Sequence, residues 1–181
     1  KQGPPTGAMS YHCHNFYEII YILEGEYASV VDNRVFHMKK GDFLLVNQNI
    51  MHKCYGEEGN NLESKRIILW ITENMLQRLA EGHMNLSACF EKNEASAYHF
   101  PVVYEEMLRG YLVKLAMTRL PDVKAAEVKK VMDRGYLTLF FSYLNVLIDR
   151  DEYDAPIEET TTSPMVRQVE EYIEENMKKQ I

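Results

Sequence analysis

The chain has 181 residues, 46% of them hydrophobic, and a formal net charge of −7. That apolar fraction excludes a disordered chain, and the length suits one globular domain with an appendage. The acidic balance argues against a free-standing grip on a phosphate backbone, and no apolar run is long enough to span a bilayer. Residues 1–9 read as a loose arm. From Tyr11 to Thr72 the pattern is that of short strands. Residues 16–23 are apolar on both faces and call for cover on both sides. Strands over 26–31 and 35–38 flank Asp32-Asn33-Arg34, a hairpin turn signal. Lys40-Gly41-Asp42 is a second turn, feeding a strand over 43–46. A strand over 52–55, a polar loop over 56–61 and a core strand over 65–71 follow. Thr72 is placed to cap a helix over 73–80, with Gly82 just past its end. Two more short strands are predicted over 86–90 and 98–102.

The texture then changes. Leu108, Tyr111, Leu112 and Leu115 recur at helical spacing within 104–120, and Pro121-Asp122 ends that pattern. A second helix is predicted over 124–148, apolar nearly all round in its second half and therefore buried on most sides. Its stripe of Leu137, Phe140, Phe141, Leu144, Leu147 and Ile148 has the spacing of a helix–helix seam. Residues 149–163 are acidic and Thr-rich and read as a linker. Ser163-Pro164 then resembles a cap with Pro at the first helical position, opening an amphipathic helix over 165–178. The chain opens on Lys1 rather than Met, so a trimmed or engineered piece is expected.

The chemistry concentrates in His12-Cys13-His14-Asn15-Phe16-Tyr17-Glu18, with Gly25 beyond it and His52 downstream. On one extended strand His12, His14 and Glu18 share a parity, so imidazole, imidazole and carboxylate face one way. A further imidazole from a later strand completes a donor set suited to Zn, Ni, Fe or Mn. The alternative is a hydrogen-bonded polar network in which every imidazole is satisfied. Phe16, Ile20 and Ile22 share the parity of Glu18, and Tyr55 and Trp70 lie on neighbouring strands. With Glu18 they are the candidate lining of a small-molecule pocket, shaped for a sugar or an aromatic metabolite. Cys13, Cys54 and Cys89 are odd in number and irregular in spacing, which points to reduced thiols and a cytoplasmic protein. Cys54 shares the parity of His52 and is a minor candidate ligand.

The stretch from His12 to Gly25 resembles the first cupin motif in full. The second motif is partial: Gly41 and His52 stand in place, but Asn47, Asn49 and Gly56 replace the usual Pro, Gly and Asn. The wording F-Y-E-I-I-Y-I-L-E-G followed by M-K-K-G-D-F-L-L-V-N resembles the N-terminal sensor domain of AraC-family transcription regulators. V-R-Q-V-E-E-Y-I-E-E-N-M, near the end, resembles the first helix of that family's DNA-binding domain. The resemblance implies a mainly β plus α fold: a cupin-type β-barrel (jelly roll), a helical hairpin and a terminal helix. It divides the chain into an arm (1–10), a sensor barrel (11–102), a helical dimerisation region (103–149), a linker (150–163) and the start of a DNA-binding domain (164–181). It implies an effector-binding, homodimeric, non-enzymatic regulator that needs no cofactor and meets DNA only through the missing domain. Dimerisation falls to the stripe from Leu137 to Ile148. The competing reading is a metal-dependent cupin enzyme, a dioxygenase or isomerase.

Overall fold

Residues 17–24 run Tyr-Glu-Ile-Ile-Tyr-Ile-Leu-Glu, a β-branched and aromatic stretch, and they form β1 (Tyr17–Glu24). In the computed structural model, which describes residues 11–32, 34–56, 65–92, 95–117, 123–155 and 158–160, β1 is followed by β2 (Glu26–Val31), β3 (Arg34–Lys39), β4 (Asp42–Val46), β5 (His52–Gly56) and β6 (Lys65–Ile71). Then come α1 (Glu73–Ala80), α2 (Ala88–Glu91), β7 (Ala95–His99), α3 (Val102–Met117), α4 (Val123–Asp149) and β8 (Glu158–Thr160). The expected arm over 1–10 and terminal helix over 165–178 lie outside the described residues. No described helix is long and apolar enough to cross a membrane.

The strands make two antiparallel four-stranded sheets, ordered β6-β1-β4-β7 and β5-β2-β3-β8. The fold is therefore mixed β and α, as expected, but the barrel is not closed: each sheet keeps its own edges. Gly25 (φ 81°) turns the chain from β1 in the first sheet to β2 in the second. Period-two alternation sorts the core into layers. Ile20 and Ile22 of β1, Leu44 and Val46 of β4, and Phe36 and Met38 of β3 fill the space between the sheets. The opposite parity (Tyr17, Ile19, Tyr21, Phe43, Leu45) packs outward against the helices. That is why β1 is apolar on both faces. Along one side of the sandwich, Arg34 of β3 donates to the Ala95 carbonyl of β7 at 2.9 Å and ties the two sheets together.

Three elements differ from expectation. The stretch around Leu86–Phe90 is a turn and short helix, not a strand; its Leu86, Cys89 and Phe90 are buried under α4, a job that composition alone cannot distinguish from a strand's. β6 is an edge strand, and its inner-parity residues Ile68 and Trp70 stay 38% and 62% exposed. The expected linker folds back on the sheets: His99 and Asp154 exchange backbone hydrogen bonds at 2.8 Å, and Glu158–Thr160 pairs with β3.

The helical stripe also has a different partner. Leu137, Phe140, Phe141, Leu144, Leu147 and Ile148 are all buried within this chain, in one cluster with the outer face of the first sheet. They are not available to a second copy. The apolar face that α4 leaves in solvent is another one, carrying Val128, Met132, Leu139, Tyr143 and Val146.

Candidate functional site

His12 and His14 do not belong to β1. The chain bends at Asn15 and Phe16 before the strand begins at Tyr17. His12 instead lies beside β5 in the second sheet: its N–H donates to the His52 carbonyl at 3.1 Å, and the His52 N–H returns to the His12 carbonyl at 2.9 Å. Asn49 N–H donates to the His14 carbonyl at 2.7 Å. The segment thus starts against one sheet and ends in the other, and the site sits at that crossing.

Four side chains converge there. His14 Nε2 lies 2.8 Å and His52 Nε2 3.0 Å from the same carboxylate oxygen, Glu18 Oε2. His12 completes the group, with one ligand-type atom from each residue, all within 4.8 Å of one another. Glu18 and His52 are buried; His12 and His14 are partly so. The second nitrogen of each inner imidazole is also held: His14 Nδ1 donates to the Phe16 carbonyl and His52 Nδ1 to the Ile50 carbonyl, each at 2.8 Å. Burial by itself would raise the Glu18 pKa, but hydrogen bonds from His52, His14 and the Trp70 indole outweigh it and hold the carboxyl at about 2. For His52 burial pulls down, and the bond to Glu18 more than compensates, so its pKa is raised.

The departures in the second cupin motif leave this donor set intact. Asn49 stands at φ 60°, the left-handed region where Gly is usual and Asn is among the best-tolerated substitutes. Asn47 is structural: its Nδ2 donates to the Phe90 carbonyl at 3.0 Å, and its Oδ1 accepts from Gln48 N–H at 2.7 Å.

An aromatic flank adjoins the cluster. Phe16 stacks on the His14 ring at 3.8 Å and 6°, and its other neighbour is Trp70, 5.5 Å away. Trp70 is paired with Glu18 in the β1–β6 register, so both rise on one face. The structure brings His12, His14, Phe16, Glu18, His52 and Trp70 together. It places Ile20 and Ile22, 2% and 0% exposed, in the solid core between the sheets. Tyr55 lies on β5 with its Cα paired to Ala28, and Cys54 with its Cα paired to Ser29; their side chains lie outside the described residues.

Sequence reasoning missed Arg66 and Ile68, which share the Trp70 parity on β6; Ile68 is exposed and the Arg66 guanidinium lies 4.9 Å from the Tyr27 ring. The period-two rule that selected Trp70 would have found both. It also missed a depression of about 420 Å³ on the helical side, lined by Glu73, Gln77, Met84, Asn85 and Glu91 among others.

Residues 1–70 match the family described as the AraC-like ligand binding domain. No curated protein sequence matches the chain. Among solved structures, the fold is similar to apo ToxT K231A from Vibrio cholerae strain SCE256, with a TM-score of 0.55 and 14% identity over 81% of this chain and 53% of that one. Unsaturated fatty acid bound ToxT from the same strain gives 0.48 and 14% over 81% and 52%. The AraC-like transcriptional activator CuxR gives 0.43 and 13% over 92% and 52%. The chain spans about half the length of each of these proteins.

Proposed function

We propose, for a chain whose residues 1–70 match the AraC-like ligand binding domain, that it is the effector-sensing and dimerising part of a transcription regulator. One observation carries the reading. A convergent polar cluster lies where the chain crosses between two sheets, and an exposed indole stands on the same face beside it. A small molecule with a polar head and a flat apolar body, such as a sugar or an aromatic metabolite, fits that pairing. The head meets His12 and His14, the partly exposed members, and the body lies on Trp70 and Ile68. Buried groups with fixed hydrogen bonds supply orientation, and the exposed aromatic edge supplies area.

Signalling follows from placement. His12 to Glu18 ties the two sheets together at one end. The segment after α4 is tied to both sheets too, through the His99–Asp154 bridge in the first and β8 in the second. An effector that favours one relative setting of the sheets also favours one setting of that segment, and so of whatever follows it. Dimerisation falls to the solvent face of α4, where Val128, Met132, Leu139, Tyr143 and Val146 recur at spacings of three, four and seven. The family match favours this binding role over a metal-dependent dioxygenase or isomerase.

A fusion of the whole chain to a DNA-binding domain that grips its operator only as a dimer tests the reading. Operator occupancy in cells should change with an added effector, and Trp70→Ala should remove the response while leaving basal occupancy. A fusion that never occupies the operator, or a response that survives Trp70→Ala, contradicts it.

A further inference from the structure

Tyr17 precedes Glu18 on β1 and, by alternation, points away from it into the cluster on the helical side of the first sheet. Its hydroxyl donates to Glu73 Oε2 at 2.8 Å. Glu73, Leu76, Gln77 and Ala80 share one face of α1 at helical spacing. Past the end of α1, Glu81 (φ 49°) and Gly82 (φ 78°) stand in the left-handed region and turn the chain back. Residues 84–87 and Glu91 then form a wall opposite that face. The depression of about 420 Å³ lies between the two walls, and its size is that of a small-molecule site.

The lining divides into a floor and a rim. Leu76 and Leu86 are buried and Ala80 half-buried, and they make an apolar floor. Glu73 stands on one wall and Glu91 on the other. Each carboxylate is oriented by neutral donors. Glu73 Oε1 accepts from Gln77 Nε2 at 2.9 Å, and Glu91 Oε1 accepts from Asn85 Nδ2 at 2.6 Å. None of the residues lining the depression is Lys, Arg or His. Two fixed carboxylates thus share one concavity whose walls supply no cation. Both are felt at Tyr17: burial, the bond to Glu73 and the charges of Glu73 and Glu91 together push its phenol up to about 12. A bare inorganic ion is a poor occupant. Hard cations take six or more oxygen ligands, and among the described residues no third His, Cys, Asp or Glu joins this pair in a ligand cluster. An apolar floor also gives a hydrated ion nothing to bury.

We propose that this depression binds a small organic cation, a primary ammonium on a short apolar stem. The ammonium has three donors to share between Glu73 and Glu91. The stem lies on Leu76, Ala80 and Leu86. Met84, 41% exposed on the lining, has the flexible thioether that adapts to such a stem. The occupant sits across β1 from the His and Glu cluster, so the site does not rest on the regulator reading and survives its failure.

Calorimetric titration of the whole chain with 2-phenylethylamine tests this, with 2-phenylethanol as the uncharged match and calcium chloride as the inorganic one. The amine should bind one per chain, at least about 10-fold more tightly than the alcohol, because a charge-assisted contact is lost in the alcohol. Glu91 is exposed, so Glu91→Gln should fold, and it should weaken the amine about 10-fold. Glu73→Gln should do the same; if that variant does not fold, Glu91→Gln decides. Glu81 is an acid outside the lining, paired with Arg134 at 3.0 Å, and Glu81→Gln should leave the affinity within about 2-fold, since rim charges off the site contribute little. Absence of amine binding at millimolar concentration overturns the proposal. So does equal affinity for amine and alcohol, or an affinity that is the same in Glu91→Gln. Calcium that binds more tightly than the amine and is lost in Glu91→Gln makes this an inorganic site and overturns it too.

Discussion

Glu18 and His52 belong to different sheets, yet their side chains meet at 3.0 Å in the interior. That contact, with the His12–His52 backbone bridge, joins the β1 side of the sandwich to the β5 side. Structure and site therefore share the same groups. Removing one partner of a buried pair leaves the other desolvated and unpaired, at a cost of about 3–5 kcal/mol. Glu18→Ala should lower unfolding free energy by that order in urea titrations of the metal-free protein. A loss below about 0.5 kcal/mol, the range of ordinary surface substitutions, would mean that the pair does not hold the sheets together.

Trp70 should behave in the opposite way. It is 62% exposed, so Trp70→Ala should cost little stability, within about 1 kcal/mol. Binding of an effector should nevertheless fall steeply. Calorimetric titration of the variant, beside its urea curve, separates the two effects. Equal losses in both would make Trp70 a structural residue.

The two faces of α4 predict a split. Leu139→Glu lies on the solvent face and should convert a dimer into a monomer in light scattering, with the melting temperature of the monomer unchanged. Phe141→Ala empties a fully buried position and should cost about 3–5 kcal/mol. Dimers that persist in Leu139→Glu would move the contact elsewhere.

Cys13 is exposed, and Cys89 is buried, where loss of solvation pushes its thiol pKa well above the usual range. Iodoacetamide should label Cys13 quickly and Cys89 only on unfolding, read by peptide mass spectrometry. Rapid labelling of Cys89 in the native protein would show that the α2–α4 packing opens readily.

Much of this was legible in the chain itself. Short apolar runs over residues 16–46 placed the strands, Asp32-Asn33-Arg34 and Lys40-Gly41-Asp42 marked two of their turns, and the His12-to-Gly25 motif with His52 downstream named the four donors. Parity led to the right residues by a partly wrong route. His12 and His14 were read as part of the strand that carries Glu18, whereas the chain bends at Asn15 and Phe16 and His12 pairs with β5. Whether the strands close into a barrel was not legible, because closure depends on hydrogen bonds between strands far apart in sequence. The helix stripe failed for a related reason. A seam spacing says that Phe140 and Leu144 are buried, not against what, and the first sheet competes with a second copy for that face. The exposure of Trp70 was equally hidden, since edge and central strands share a composition.

The most direct test of the account is the emission of Trp70 during titration with sugars and aromatic carboxylates that raise the melting temperature of the whole chain. Saturable quenching or a spectral shift is expected for each stabilising compound, lost in His14→Ala. A compound that stabilises the protein at stoichiometric binding while Trp70 emission stays constant would place the effector elsewhere and contradict the assignment of this site.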